Sequence, residues 1–295
     1  MNQSTSLNQD INMRKVALTS LAGTSIEWYD FFLYGAAAAL IFPTAFFGEM
    51  PGSTALILSF LTFAAGFIAR PIGGVIFGHF GDKIGRKKTL IIALILMGVA
   101  STLIGLLPTY AMIGVAAPIL LTLLRFAQGL AIGGQWGGAM LLVTESAPSN
   151  QRGFYGAYAQ AGVPIGVILA NLAYIIIGSL VSDEAFYSWG WRIPFLASAV
   201  LIGLSMYIQL TMEDTKAFKE LQHTIGGQQA SQNIPIKKSP VLEAIKKYPQ
   251  RISLAAGAFL SVQVTFYILI AFILTYGVES TNLVRDDMLS AVLIG

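Results

Sequence analysis

Two acidic residues, Glu27 and Asp30, stand three positions apart in the otherwise apolar stretch 16–47. A charge near the centre of a bilayer costs about 3 kcal/mol on insertion scales, so a membrane helix that keeps two acids is expected to use them. Two ionised carboxylates less than one helical turn apart repel each other, and burial disfavours the charged form of each. The chemistry that this spacing indicates is reversible proton binding, as in proton-coupled transport.

Composition places the chain among integral membrane proteins. Hydrophobic residues make up 55% of the sequence and charged residues 11%, whereas soluble domains carry about 25% charged residues. With no Cys and only His79 and His223, a thiolate, haem or zinc site is hard to assemble. We therefore expect no cofactor, with the proton as the coupling ion. Residues 1–12 lack the features of a signal peptide, so the first apolar stretch is expected to be retained.

Apolar stretches of about 20 residues predict the helices that must position these acids. Seven are predicted near 16–42, 54–77, 89–107, 111–135, 154–180, 192–210 and 252–277. An eighth would begin near Met288, and the sequence stops at Gly295, so the chain is expected to be shortened or split. The polar segment 212–251, with Gly226-Gly227 and several Lys, is predicted to be an amphipathic, partly flexible linker.

The distribution of Lys and Arg predicts the orientation in the membrane. Most of them fall in residues 1–15, in the second and fourth connections and in 212–251, which places these segments in the cytoplasm. The predicted domains are a cytoplasmic N-terminus (1–15), a six-helix membrane bundle (16–211), a cytoplasmic linker (212–251) and a partial second bundle (252–295). The net charge of +3 reflects this asymmetry and gives no reason to expect nucleic-acid binding.

The second connection carries the most specific local pattern. It reads Gly78-His79-Phe80-Gly81-Asp82-Lys83-Ile84-Gly85-Arg86-Lys87-Lys88. By its composition it is a tight basic hairpin, with glycines that permit a sharp turn and cations that face an anionic leaflet. Its spacing resembles the signature loop between the second and third helices of the major facilitator superfamily. That resemblance makes Gly78, Gly81, Asp82, Gly85, Arg86 and Lys87 candidate gating-loop residues.

Further stretches resemble one branch of that superfamily, the metabolite:proton symporters. They are Ser25–Phe31, Arg70–Gly73, Gly78–Asp82, Gln128–Gly138 and Trp189–Phe195. The resemblance runs from about Ala17 into the seventh helix and is best to shikimate- and dicarboxylate-type members. Gln135 departs from it, because the branch usually has Glu there. The resemblance implies an all-α membrane fold of two six-helix bundles, of which this chain would hold the first and the start of the second.

The same resemblance implies a function. A symporter of this kind would carry a small metabolite, such as a shikimate- or dicarboxylate-like anion, with a proton by alternating access between its two bundles. The Arg on the fourth helix of many such transporters faces an acid on the first. Arg125 would therefore pair with Asp30 or Glu27, and protonation would release it. Bacterial-type inner membrane is the expected location, and the oligomeric state stays open.

Helical spacing adds candidate substrate contacts. Gly23, Glu27, Asp30 and Tyr34 fall on one helix face, and so do Gln160 and Asn171 on the fifth stretch, which could equally join helices. The candidate substrate residues are Tyr34, Arg125, Gln128, Gln160, Asn171, Gln263 and Tyr267. Arg70 could also reach a substrate, but its place near the end of the predicted stretch favours a side chain that extends to the membrane surface or caps the loop. Trp189 and Trp191 are predicted to lie in the interfacial aromatic belt. The glycines of 129–138 predict close helix packing.

Two other classes of function are alternatives to transport. The chain could be a fragment that folds as a bundle without transporting anything, since it ends within the eighth stretch. A membrane enzyme or a channel is disfavoured, because the sequence shows neither a nucleophile and base set nor a repeated filter motif. The expected partners are a small-molecule substrate and the lipid bilayer.

Overall fold

The computed structural model describes residues 3–84, 86–211, 247–281 and 284–294, and the regular elements in these ranges are all helical. The helices of the first bundle are α1 (Gln3–Leu40), α2 (Phe42–Phe47), α3 (Gly52–Ile84), α4 (Arg86–Leu106), α5 (Tyr110–Ile113), α6 (Ala116–Ser146), α7 (Arg152–Leu180), α8 (Asp183–Ala185) and α9 (Arg192–Thr211). A second group holds α10 (Pro249–Tyr267), α11 (Ile273–Thr281) and α12 (Arg285–Ile294). Single π-helical turns, Phe186–Gly190 and Ile268–Phe272, precede α9 and α11.

The helices coincide with the apolar stretches, and they differ from the prediction mainly at their ends. The connection after α3 is much shorter than the predicted loop, because Gly78, Gly81 and Asp82 continue α3 while Arg86 and Lys87 begin α4. Gly85, between the two helices, lies outside the described residues, as do the side chains of 81–88. The predicted linker also lies largely outside them, from 212 to 246.

Glycines let the long helices approach closely. α3 packs along α6 and α1 along α7, while α4 lies against α6 and α9. A methyl group on Gly129 would overlap the backbone carbonyl of Gly66, and one on Gly162 would overlap Thr24. These contacts confirm the predicted packing role of the small residues, since backbones this close leave no room for a Cβ atom.

The outer surface of the bundle suits a lipid environment. Large apolar side chains such as Ile57, Leu61, Ile68 and Val75 point outward. Within the described residues, α3, α6 and α7 each contain a stretch long and apolar enough to cross a membrane. α1 is not among these three helices, and it is the helix whose apolar stretch is interrupted by Glu27 and Asp30.

Aromatic side chains close one end of the first bundle. Trp191 is fully buried, with its ring centroid 5.8 Å from that of Phe42 and 6.1 Å from that of Phe195. The prediction of an interfacial position was wrong for Trp191, because the start of α9 turns this ring towards α2. Trp189, two residues earlier, is half exposed as expected for the aromatic belt.

The second group of helices packs against the first bundle. α11 contacts α1, where the Thr275 hydroxyl donates to the Ala39 carbonyl at 3.4 Å, and α12 contacts α7. At the start of α12, Arg285 forms an ion pair with Asp183 at 3.6 Å. Leu289 on α12 is fully buried in the main core. The interior of the first bundle is therefore covered in part by residues from the second.

Candidate functional site

Asp30 forms the centre of a buried polar network between three helices. Its side chain, from α1, is 1% exposed. Its Oδ2 accepts a hydrogen bond from the Ser101 hydroxyl on α4 and another from Gln128 Nε2 on α6, the latter at 2.9 Å. Gln128 Nε2 also lies 2.6 Å from Ser101 Oγ. Because hydrogen bonds to an ionised group are stronger than neutral ones, these donors stabilise a carboxylate that is shielded from water.

Arg125 supplies the positive charge of this network. Its side chain is 1% exposed, and its Nη1 donates to Gln128 Oε1 at 3.0 Å. Its guanidinium carbon lies 4.2 Å from the ring centroid of Tyr34, 4.7 Å from that of Phe63 and 5.0 Å from that of Phe31. Cation–π contacts of this kind are strongest where the cation is removed from water. Arg125 is thus held by aromatic rings and by one amide.

Gln128 connects the acid to the arginine. Within the part of the chain that the structure describes, no direct ion pair joins Arg125 to Asp30 or to Glu27. Arg125 and Gln128 are three positions apart on α6, so their side chains lie on neighbouring turns of one face. The amide can then accept from Arg125 while it donates to Asp30. The charges predicted to meet directly are therefore joined through an intervening amide.

Glu27 has a separate partner, Gln135. Both side chains are buried. With the Gln135 amide oriented to satisfy both of its neighbours, Nε2 donates to Glu27 Oε1 at 3.0 Å and Oε1 accepts from the Leu94 amide at 3.1 Å. A Glu at 135, which the related branch usually carries, would place a second carboxylate at this distance. Gln135 instead gives Glu27 a hydrogen-bond donor.

Arg70 enters the interior instead of extending to the membrane surface. Its guanidinium carbon lies 4.5 Å from the ring centroid of Phe31 and 4.7 Å from that of Phe67, and its charge interacts with that of Glu27. The predicted surface position was wrong, because cation–π contacts with two inward-facing rings outweigh exposure to the interface. Arg70 is half-buried, in contrast to Arg125.

Tyr34 and Tyr267 belong to the same aromatic interior. The Tyr34 hydroxyl shares a hydrogen bond of 2.7 Å with the Thr62 hydroxyl, and the ring is fully buried. Tyr267, at the end of α10, brings a ring to 5.2 Å from Phe67 and 5.9 Å from Phe31. Through Tyr267, as through Leu289, the second group of helices reaches the interior of the first bundle.

The other candidates stand apart from this network. Gln160 on α7 is exposed, Asn171 further along the same helix is buried, and Gln263 on α10 is half-buried. Within the described residues, none of the three forms a hydrogen bond with Asp30, Gln128 or Arg125. Their roles as substrate contacts stay predictions.

Sequence reasoning missed several members of the site. The missed residues contact Asp30, Tyr34 or the two arginines; they are Ser101, Thr62, Phe31, Phe63 and Phe67. Ser101 stands in an apolar stretch, and its polarity was a signal, whereas the phenylalanines look the same as lipid-facing residues in sequence. Among the described side chains, no three His, Cys, Asp or Glu gather to bind a metal ion.

Comparison with known proteins gives consistent matches over most of the chain. The family model described as "Sugar (and other) transporter" matches residues 15–234. The chain is 43% identical to the shikimate transporter of Escherichia coli over 288 residues, which cover 95% of this chain and 63% of that protein. It is 34% identical to the proline/betaine transporter of Salmonella typhimurium, with 97% and 58% covered. The chain thus spans about 60% of the length of these curated relatives.

Solved structures show the same fold at low sequence identity. The crystal structure of a D-xylose–proton symporter superposes with a TM-score of 0.68 at 17% identity, over 95% of this chain and 65% of that one. A further solved match is described as a proton:xylose symporter of the major facilitator superfamily. The relatives and the structural neighbours are transporters and not enzymes.

Proposed function

Because the chain belongs to the sugar (and other) transporter family, whose solved neighbours have the major facilitator fold, we propose that it acts in proton-coupled symport. The cargo is a small metabolite with a carboxylate group, and it crosses by alternating access between the two bundles. The location is the inner membrane of a bacterium, with residues 1–15 and the linker 212–251 in the cytoplasm.

The observation that carries the proposal is the buried network of Asp30, Gln128 and Arg125. Asp30 and Arg125 are each 1% exposed and are linked by hydrogen bonds of 2.9 and 3.0 Å through one amide. Charged groups inside a membrane protein mark ion and substrate routes in most cases. A proton on Asp30 cancels its charge and turns an acceptor into a donor, so the Gln128 amide must rearrange, and Arg125 loses its electrostatic partner.

The network also explains how protonation could change the shape of the protein. Asp30, Ser101 and Gln128 come from α1, α4 and α6, so the hydrogen bonds that protonation alters join three helices. A local change of charge can bias such an arrangement between two packings. Tyr267 extends the contact to the second group of helices through Phe31 and Phe67.

The curated relatives support the class of substrate. One is named for shikimate and another for proline and betaine. Shikimate is an anion, whereas proline and betaine are zwitterions, and each molecule has a single carboxylate. The coarser feature that they share is therefore the carboxylate, which suits an interior that contains two arginines, Arg70 and Arg125. A small organic acid of the shikimate kind is our first choice.

The test is uptake of radiolabelled shikimate into membrane vesicles with an imposed proton gradient. Wild-type protein should accumulate shikimate when the gradient is present, and Asp30→Asn should abolish accumulation while it still permits shikimate exchange at equal pH. Asp287→Asn, which changes an exposed acid on α12, is the matched control and should behave as wild type. Undiminished uphill uptake by Asp30→Asn would remove Asp30 from the coupling role, and gradient-independent uptake by wild type would overturn the symport proposal.

A further inference from the structure

We propose that Arg70 binds the carboxylate of the transported molecule at the contact between the two groups of helices. This inference rests on the proposed function, because it names the residue that would recognise the cargo. Nothing in the sequence pattern favours Arg70 over Arg125. The distinction comes from how the structure places the two guanidinium groups.

Arg125 is hard for a ligand to reach, although its Nε has no hydrogen-bond partner among the described residues. Its guanidinium is enclosed by the rings of Tyr34, Phe63 and Phe31, and it donates to Gln128. Its Nε lies against Gly66, where a methyl group would overlap it. A ligand that reached Arg125 would have to displace packed rings. Arg125 therefore suits a fixed counter-charge for Asp30 better than a substrate contact.

Arg70 is oriented by rings and stays accessible. Phe31 and Phe67 lie within 4.7 Å of its guanidinium carbon, which fixes the plane of the group. Its side chain is half-buried, and within the described residues it forms no ion pair. Arg70 also interacts with the Tyr267 hydroxyl and with the charge of Glu27. A planar guanidinium is the side chain best suited to bidentate binding of a carboxylate. The flanking rings would in turn contact the apolar surface of a cyclic molecule.

Tyr267 places this site where a cargo would pass. Its ring packs against Phe67 at 5.2 Å and against Phe31 at 5.9 Å, the two rings that hold Arg70. α10 ends at Tyr267, and the π-helical turn Ile268–Phe272 follows directly. π-helical turns occur frequently at functional sites. Arg70 thus stands beside an irregular helix of the second group, at the contact that must change in alternating access.

The balance of charge in this interior links the binding of a substrate carboxylate to the uptake of a proton. Arg70 and Arg125 both lie within 5.0 Å of the Phe31 ring centroid, and the acids nearest to them are Glu27 and Asp30. With both acids ionised the four charges cancel, and the tyrosines that face them, such as Tyr34 and Tyr267, add none while neutral. One substrate carboxylate would leave a net negative charge in a medium of low dielectric constant. Protonation of one acid removes that excess, so a carboxylate that binds while both acids are ionised should bring one proton with it.

Equilibrium binding to the purified protein tests the role of Arg70. The probes are shikimate and methyl shikimate, which has the same ring and hydroxyl groups and no charge. Wild type should bind shikimate more tightly, by roughly tenfold to a hundredfold, as expected for a hydrogen-bonded charge pair. Arg70→Gln should lose that preference while it binds the ester as wild type does, which shows that the variant is folded. Arg70→Lys should keep part of the preference, because it retains the charge without the planar fork.

The control is Arg152→Gln, which removes an exposed arginine at the start of α7 and should leave the preference unchanged. An undiminished preference in Arg70→Gln would overturn the proposal, and so would equal binding, or no binding, of the two probes by wild type. The outcome is separable from the symport test. If Arg70 governs the preference but Asp30→Asn still accumulates shikimate, the carboxylate site stands and the coupling proposal fails. If Asp30→Asn loses accumulation while Arg70→Gln keeps the preference, only the site assignment fails.

Discussion

Replacing Gln128 by Leu should destabilise the protein far more than the loss of one polar side chain normally does. Leu nearly preserves the volume, so the change removes hydrogen bonds without opening a large cavity. Gln128 is fully buried and serves two charged partners, Asp30 and Arg125. A hydrogen bond to a charged group contributes about 1.5–3 kcal/mol. Losing two of them should lower the free energy of unfolding by about 3 kcal/mol or more.

The assay is reversible unfolding of the purified protein in mixed micelles by added denaturing detergent, followed by tryptophan fluorescence. Gln160→Leu makes the same substitution at an exposed position on a membrane helix, and it should change stability by less than about 0.5 kcal/mol. When Gln128→Leu is combined with Asp30→Asn, the loss of stability should be smaller than the sum of the two single losses by about 1 kcal/mol or more. The reason is that the side chain at position 30, left without its amide donor, is then neutral. Polar contacts between membrane helices average only about 0.6 kcal/mol. If Gln128→Leu lowers the free energy of unfolding no more than Gln160→Leu does, the proposal that Gln128 joins two buried charges is refuted.

Two packing predictions can be checked in the same unfolding assay. Gly129→Ala should destabilise the protein by about 1–3 kcal/mol, because the added methyl group meets the Gly66 carbonyl and backbone cannot rotate away as a side chain does. Gly203→Ala, with open space around it, should be neutral or stabilising by up to about 1 kcal/mol. Equal effects of the two substitutions would contradict the close approach of α3 and α6. Trp191→Ala should cost about 3–5 kcal/mol because the ring is fully buried, whereas Trp189→Ala, on a half-exposed ring, should cost much less; a reversed order would place Trp191 at the membrane surface after all.

The helices were predictable because each signal was local. Long apolar stretches fix where helices can run in a membrane, and the glycines of 129–138 indicate close helix packing by their spacing alone. The connection after α3 was harder. Glycine permits a turn but does not require one, so Gly78 and Gly81 are helical and α3 continues to Ile84.

The site was predictable only in part, because its geometry depends on contacts between distant residues. Spacing along α1 grouped Glu27 with Asp30, yet it gave no means to see that they have different amide partners, Gln135 and Gln128. The direction of a long side chain was a second obstacle. Arg70 lies near the end of the predicted stretch 54–77, where arginines commonly extend to the interface. The helix continues to Ile84, and the position of the aromatic rings shows that Arg70 turns inward.

Proton uptake on substrate binding tests the central claim most directly, because it measures the coupling without transport. Shikimate is added to purified protein in weakly buffered solution near neutral pH, and a pH-indicator dye reports the protons taken up. Charge balance among Arg70, Arg125, Glu27 and Asp30 predicts about one proton taken up for each shikimate bound, and hence tighter binding as the pH falls. Saturable binding of shikimate with no proton uptake would contradict the account.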